Sequence, residues 1–147
     1  MGHLQTSRLI SASPADVFAY ITDLKTLQDQ LTPHFVVQAD EGLNLREHGE
    51  FEVSVTRFGM TTRVRLFVED LKPGERFSYR QVSGFFRAWH HTQTLHAHDP
   101  KTTLLTDIVD FQMRLGIFGA LADDFIVRRD LQHVLESRLA RIEHHFE

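Results

Sequence analysis

GEFEVSVTRFGMTTRVRLFVEDL, residues 49–71, alternates apolar and polar side chains on both sides of a glycine. Phe51, Val53 and Val55 recur at every second position, and Val64, Leu66 and Val68 do the same. A period of two puts each set on one face of a strand, so the stretch predicts two half-buried strands joined by a tight hairpin. With Gly59-Met60 as a two-residue loop carrying glycine at its first central position, Phe58 pairs with Thr61. Counting outward opposes Val55 to Val64, Val53 to Leu66 and Phe51 to Val68. Both apolar sets then land on one face, as a single register requires.

The pattern continues downstream. A turn at Asp70 to Gly74 leads to RFSYRQV, in which Phe77, Tyr79 and Gln81 extend the same face. Ser83-Gly84 turns the chain into RAWHHTQTLHAHD (residues 87–99), and Asp99 to Thr102 turns it again into TLLTDIVDF. At least five antiparallel strands in meander order result. Upstream, an extended stretch from Leu4 to Ile10 precedes SASPADVFAYITDL, which reads as a helix with Ser13 as N-cap and Pro14 at its first position, where a missing N–H costs nothing. A second short helical piece from Leu24 to Leu31 ends before Pro33. From Phe118 to Phe146, apolar residues recur at Leu121, Phe125, Leu131, Val134, Leu135, Leu139, Ile142 and Phe146, the pattern of an amphipathic helix roughly 40 Å long. Such a helix must lie on the sheet to cover its apolar stripe. The expected fold is α+β: a curved antiparallel sheet wrapped around a long C-terminal helix, with two short helices after the first strand, as one domain over residues 1–147.

Composition narrows the function classes. A chain of 147 residues buries on the order of 70% of its unfolded surface, enough for a real core. With no cysteine there are no disulfides, thiol nucleophiles or Cys-ligated metals. The net charge of −4 comes from interspersed signs, which argues against a nucleic-acid partner. MGHLQTSRLI lacks the cationic and apolar regions of a leader, and no apolar run reaches the roughly 18 residues of a membrane span, so a cytoplasmic protein is expected.

On this order of elements, SASPADVFAYITDL, VSGFFRAWHHTQTL and TTLLTDIVDFQMRLGIFGAL resemble the START-like (SRPBCC) superfamily, in its polyketide-cyclase-like and ligand-binding branches, over essentially the whole chain. The resemblance implies a helix-grip fold and a deep apolar pocket for lipids, polyketides or other hydrophobic molecules, sometimes with cyclase or dehydratase chemistry. Members of this branch often read Gly-Pro-Phe before the tryptophan and His-x-His after it. Here Phe85 stands in the proline place and Gln93 in that of the second histidine.

Strand alternation divides the histidine-rich segment. His90, His96 and His98 share one face with Thr92 and Thr94, whereas Trp89, His91, Gln93 and Leu95 share the other, which the tryptophan and leucine mark as buried. His96-x-His98 lacks the further ligands a closed metal site needs, so no metal or other cofactor is expected. His91 points into the cavity near Tyr79, Gln81 and Gln93, where buried polar groups must satisfy one another or meet a ligand. On the next strand Leu105, Val109 and Phe111 favour the odd positions and hence Asp107 over Asp110 as the inward carboxylate. On the last helix, Arg128, Arg129, Asp123 and Asp124 read as a solvated side with pairs such as Asp124–Arg128.

The expected activity is binding of an apolar or amphipathic small molecule between sheet and helix. Phe51, Val53, Val55, Leu66, Phe77, Tyr79, Trp89, His91 and Leu95 line the pocket, Gln81 and Gln93 add polar contacts, and Leu121 and Phe125 close it. One alternative is a cyclase or dehydratase with His91 as general acid or base and Asp107 or Tyr79 assisting. The other is a chaperone-like module for a protein partner. A homodimer is compatible with each.

Overall fold

The computed structural model describes residues 2–31, 36–39, 45–57, 59–114 and 122–147. Strand β1 (Gly2–Ile10) is followed by helix α1 (Pro14–Ile21), a single 3₁₀ turn (Leu24–Thr26), and then β2 (Val36–Ala39), β3 (Glu50–Arg57), β4 (Met60–Lys72), β5 (Arg76–Ser83), β6 (Ala88–Asp99), β7 (Thr102–Gln112) and helix α2 (Ala122–His145). The strands form one antiparallel sheet in the order β1-β7-β6-β5-β4-β3-β2, so a meander from β2 to β7 is completed by β1 against β7. Curled around α2, it is the helix-grip arrangement expected from the sequence. Among the described residues, no helix is long and apolar enough to cross a membrane.

The opening hairpin keeps its faces but not its register. Val53 opposes Val64, Phe51 opposes Leu66, and Arg57 pairs with Met60, so Met60 belongs to the strand and not to the loop. Gly59 has φ +74°, a left-handed conformation that glycine adopts without a Cβ penalty, and it takes the second loop place instead of the first. The change slides pairing by two residues, one full strand period, so every side chain stays on its expected face.

Helix α1 starts as predicted, with the Ser13 hydroxyl accepting from the Asp16 N–H at 3.2 Å. The expected second helix from Leu24 to Leu31 is cut to one 3₁₀ turn. The Thr26 hydroxyl bonds back to the carbonyls of Tyr20 and Asp23, and successive turns carry the chain to Leu31. Strand β2 was not foreseen: its four residues are too few for a period to declare itself. Helix α2 is described from Ala122 to His145. Residues 118–121 lie outside the described residues, as do the side chains of Asp123 and Asp124 and with them the expected Asp124–Arg128 pair.

Hairpin direction gives the molecule two ends. The β3–β4 and β5–β6 connections, the finish of β7 and the start of α2 share an upper end. The β4–β5 and β6–β7 connections share a lower end with α1, where Thr103 donates to the Ala12 carbonyl at 2.7 Å. Helix α2 therefore runs down the inner face, about 36 Å for its 24 residues. Its foot is fixed where the Tyr20 ring stacks on His145, with 4.0 Å between centroids, and meets Phe146 edge-on.

Candidate functional site

The apolar interior falls into two clusters. The lower one gathers Ile10, Val17, Ile21, Val68, Phe77, Leu105, Leu139 and Ile142, all essentially inaccessible; the upper one is Leu4, Val109, Phe111 and Leu135. A layer of polar side chains crosses the interior between them, and every member is nearly sealed: His91, Gln93, Asp107, Arg138 and Gln30.

Asp107 is the hub. Its carboxylate accepts from Arg138 Nη1 at 3.0 and 2.8 Å and from His91 Nε2 at 3.1 Å. Arg138 Nη2 donates to the side-chain oxygens of Gln93 at 2.7 Å and Gln30 at 3.0 Å. Gln30 then turns its amide nitrogen to the Tyr20 carbonyl and the Thr26 hydroxyl. On the other side, His91 Nδ1 lies 2.7 Å from the Tyr79 hydroxyl. The chain of bonds thus ties α2, the sheet and the segment after α1 together. Among the described residues, no buried side-chain nitrogen or oxygen lacks a partner. A buried charge pair is tolerable only under this condition, because an unmatched group would bear its full desolvation cost.

Burial pushes the Asp107 carboxyl upward, but the Arg138 guanidinium and the His91 hydrogen bond together outweigh it and hold the group below the ordinary carboxylate range. An ionised carboxylate only accepts, so His91 Nε2 carries a proton, and in the tautomer that carries no second proton Nδ1 accepts from Tyr79. Burial likewise pushes the Tyr79 hydroxyl up to about 12, with the nearby Asp107 charge adding to the rise and Arg138 and a Trp89 hydrogen bond opposing it. The phenol therefore keeps its proton at neutral pH, and in that tautomer of His91 donates it inward.

Burial along the inner face falls off in one direction on five elements. On β3, Phe51 and Val53 are buried but Val55 is half-buried; on β4, Val68 and Leu66 are buried but Val64 is half-buried. Phe77 gives way to Tyr79 on β5, and Leu95, Gln93 and His91 give way to Trp89 on β6. On α2, Ile142, Leu139 and Leu135 give way to Leu131 and Val127. Each step points to the upper end, with Tyr79 at the boundary between the sealed and the accessible part.

The expected site residues are distributed as follows. Phe51, Val53, Leu66, Phe77 and Leu95 form a closed floor, while Val55, Tyr79 and Trp89 stand above it. His91, Gln93 and Asp107 are inward as expected, and Asp110 points outward to His3 at 2.6 Å. Gln81 holds the β5–β6 connection instead of facing a cavity: its amide donates to the Phe86 carbonyl at 2.7 Å and its oxygen accepts from the Phe86 N–H. That bond sets Phe86 against Trp89, 4.8 Å between ring centroids. Phe125, expected to close the pocket, is 69% exposed, because its place on the helix turns it away from the stripe of Leu131, Leu135 and Leu139. Leu121 lies outside the described residues. His90 bonds Ser78 and Glu69 on the outer face, and His96 and His98 are exposed. Among the described residues, no three metal-ligating side chains gather.

Arg138 and Gln30 were missed. The signal for Arg138 was present: position 138 is four residues after Val134, three after Leu135 and four before Ile142, so a cation sits on the apolar stripe of a helix. Gln30 carried no such mark.

The whole chain, residues 1–147, matches the model of the family described as polyketide cyclase / dehydrase and lipid transport. Solved structures share the fold. A protein from Chromobacterium violaceum superposes with a TM-score of 0.78 at 18% identity, covering 100% of this chain and 99% of its own. A START superfamily protein from Mycobacterium smegmatis gives 0.76 at 15%, covering 98% and 96%. Ara h 8.0201 gives 0.72 at 16%, covering 99% and 97%. Identities this low establish shared architecture alone. No protein of curated function matches the sequence significantly.

Proposed function

The chain belongs to the polyketide cyclase / dehydrase and lipid transport family, and from that premise we propose that it holds one hydrophobic or amphipathic small molecule, of lipid, polyketide or aromatic type, under the upper half of α2. The family and fold suggest a hydrophobic ligand-binding domain; the proposed place and polarity of the ligand rest on this chain's own residues. The observation that carries the reading is the common direction in which burial falls off, towards the upper end. Val55, Val64, Tyr79, Trp89 and Leu131 face inward on five different elements and are all left half-buried. Inward-facing apolar side chains that the fold does not cover are what an apolar ligand covers, at about 25 cal/mol per Å² removed from water.

The polar layer beneath gives that ligand an orientation. Its inner members are committed to one another, so the half-buried Tyr79 is the link a ligand can reach. Because the Tyr79 proton is directed to His91 and the Trp89 N–H takes one lone pair, the phenol oxygen keeps a single lone pair with which to accept from a hydroxyl or N–H of the ligand. The preferred ligand is an apolar body with one hydrogen-bond donor. Asp107 and Arg138 support this by fixing the His91 tautomer, and they do not touch the ligand.

The alternative of cyclase or dehydratase chemistry is favoured by the same line of bonds. With His91 protonated, Nδ1 donates to Tyr79 and the phenol proton is freed to turn upward, so the Asp107–His91–Tyr79 series can deliver a proton to a bound carbonyl or leaving hydroxyl and take one back. Native mass spectrometry of the purified protein, followed by solvent extraction, tests the binding reading. A retained small molecule at one per chain supports it. A protein that neither retains nor takes up any member of a library of fatty acids, sterols and polyphenols contradicts it. Turnover abolished in Tyr79→Phe and His91→Phe but kept in His96→Ala would favour the catalytic reading.

A further inference from the structure

The Tyr79 hydroxyl has one proton and two lone pairs, and its neighbours take two of the three. The Trp89 N–H occupies one lone pair. His91 Nδ1, at 2.7 Å, meets either the proton or the other lone pair. Whatever His91 leaves is what the half-buried phenol offers to the accessible half of the interior. With Nδ1 bare, the proton goes to His91 and a lone pair is left. With Nδ1 protonated from solvent, the imidazolium takes that lone pair and the phenol proton is left.

The rest of the polar layer confines this choice to one proton. His91 Nε2 donates to Asp107 at 3.1 Å in both states, and Arg138 Nη1 holds the same carboxylate at 3.0 and 2.8 Å. Against the effect of burial, Arg138 and His91 keep Asp107 ionised in acid below its ordinary range, while burial keeps the Tyr79 phenol protonated far above neutrality. Asp107, Arg138 and Tyr79 are the ionisable groups that face His91 among the described residues, from β7, α2 and β5 in turn. Arg8 of β1 and Glu143 of α2 pair with each other at 3.2 Å near the lower end. Beside His91, β1, β3 and β4 turn apolar Leu4, Phe51, Val53 and Leu66 inward. Histidine is the side-chain type whose charge changes between about pH 5 and 8, so along this line of bonds a proton can be added only at His91.

We propose that His91 sets the polarity of the ligand: neutral, it makes the upper half take an apolar molecule bearing an N–H or O–H, and protonated, one bearing a carbonyl. This switch presupposes the ligand site proposed above, and it adds a second ligand class and the group that chooses between the two. A carbonyl set against a lone pair loses its water and gains no bond, and an N–H set against the phenol proton fares the same. No backbone movement is required, only rotation of one hydroxyl hydrogen about its C–O bond.

Carbazole, fluorenone and fluorene test this directly. They share one tricyclic outline, carry an N–H, a C=O or neither, and do not titrate between about pH 5 and 8. Their dissociation constants are measured with the full chain by equilibrium dialysis across that range. The ratio of fluorenone to carbazole affinity should rise about tenfold or more from the alkaline to the acid end, while fluorene stays level. The rise should vanish in His91→Gln and in Tyr79→Phe and persist in His96→Gln, whose side chain is exposed. Retained fluorene binding shows that a variant is folded, and if one of the two interior variants fails this check the other decides. Fluorene binding beside a ratio indifferent to pH overturns the switch and leaves the ligand site standing. A rise that survives His91→Gln or Tyr79→Phe, or that is lost in His96→Gln, also overturns the switch. Failure of all three compounds to bind at any pH overturns the ligand site and the switch with it.

Discussion

The lower and upper halves of the interior use the same strands and the same helix, yet they are finished differently. Below the polar layer, Leu105, Leu139, Ile142, Val17 and Ile10 are closed on every side by α1 and the foot of α2. Above it, Trp89, Phe86, Leu131 and Val127 pack against a small buried cluster and remain partly accessible. The contrast separates two tasks: the lower half stabilises the fold, and the upper half leaves apolar surface for something else. The Arg138–Asp107 layer is the partition between them.

The sharpest way to break this division is to remove the partition. Arg138→Ala leaves the Asp107 carboxylate buried without its cation and should cost about 3–5 kcal/mol of unfolding free energy, measured by urea denaturation. Asp107→Leu combined with Arg138→Met should recover most of that loss, because the penalty comes from the orphaned charge rather than from the lost bond. Next in size is a direct comparison along α2. Leu139→Ala in the sealed half should cost about 2–5 kcal/mol, while Leu131→Ala in the accessible half should cost about 1 kcal/mol, less being buried there to lose. Equal costs would erase the distinction between the halves.

Acid probes the partition without mutation. Asp107 is held below its ordinary range in the folded chain, so its contribution to stability is complete above the unfolded carboxyl value of about 3.9 and is lost as pH falls through the folded value. The stability gap between the wild type and Asp107→Asn should therefore be widest near neutrality and narrow below about pH 4, as read from urea midpoints across a pH series. Within the layer, the smallest expected effect is that of Tyr79→Phe. It removes the hydroxyl that bonds His91 and Trp89 at the edge of the layer and should cost about 1–2 kcal/mol in stability, while weakening a hydroxyl-bearing ligand more than a matched hydrocarbon.

The two halves were also unequally legible in the sequence. Strand period disclosed the inner face from Phe51 to Phe111, put His91 and Asp107 on it and dismissed His90, His96 and His98, because alternation survives even when a hairpin slips by two residues. Helix period disclosed α2. Arg138 escaped because a cation on an apolar stripe was passed over in favour of Arg128 and Arg129, and its partners Gln93 and Gln30 lie 45 and 108 residues away. Gln81 misled for a related reason. Its face was read correctly, but only the backbone of the following turn shows that Phe86 consumes both ends of its amide. Side-chain direction is a local property that sequence carries; the identity of the partner is a tertiary one.

Trp89 makes the central claim directly measurable, since it is the only tryptophan in the chain and stands at the boundary of the accessible half. Titration with the neutral fluorescent probe 1-aminoanthracene, exciting the tryptophan, should give saturable quenching of its emission with energy transfer at one probe per chain, reversed by an unlabelled fatty acid or polyphenol. The same titration should be weakened by Leu131→Arg, which fills the upper half with a charge, and not by Leu9→Arg at the lower end. Emission that does not respond, or that responds identically in both variants, contradicts a ligand site in the upper half.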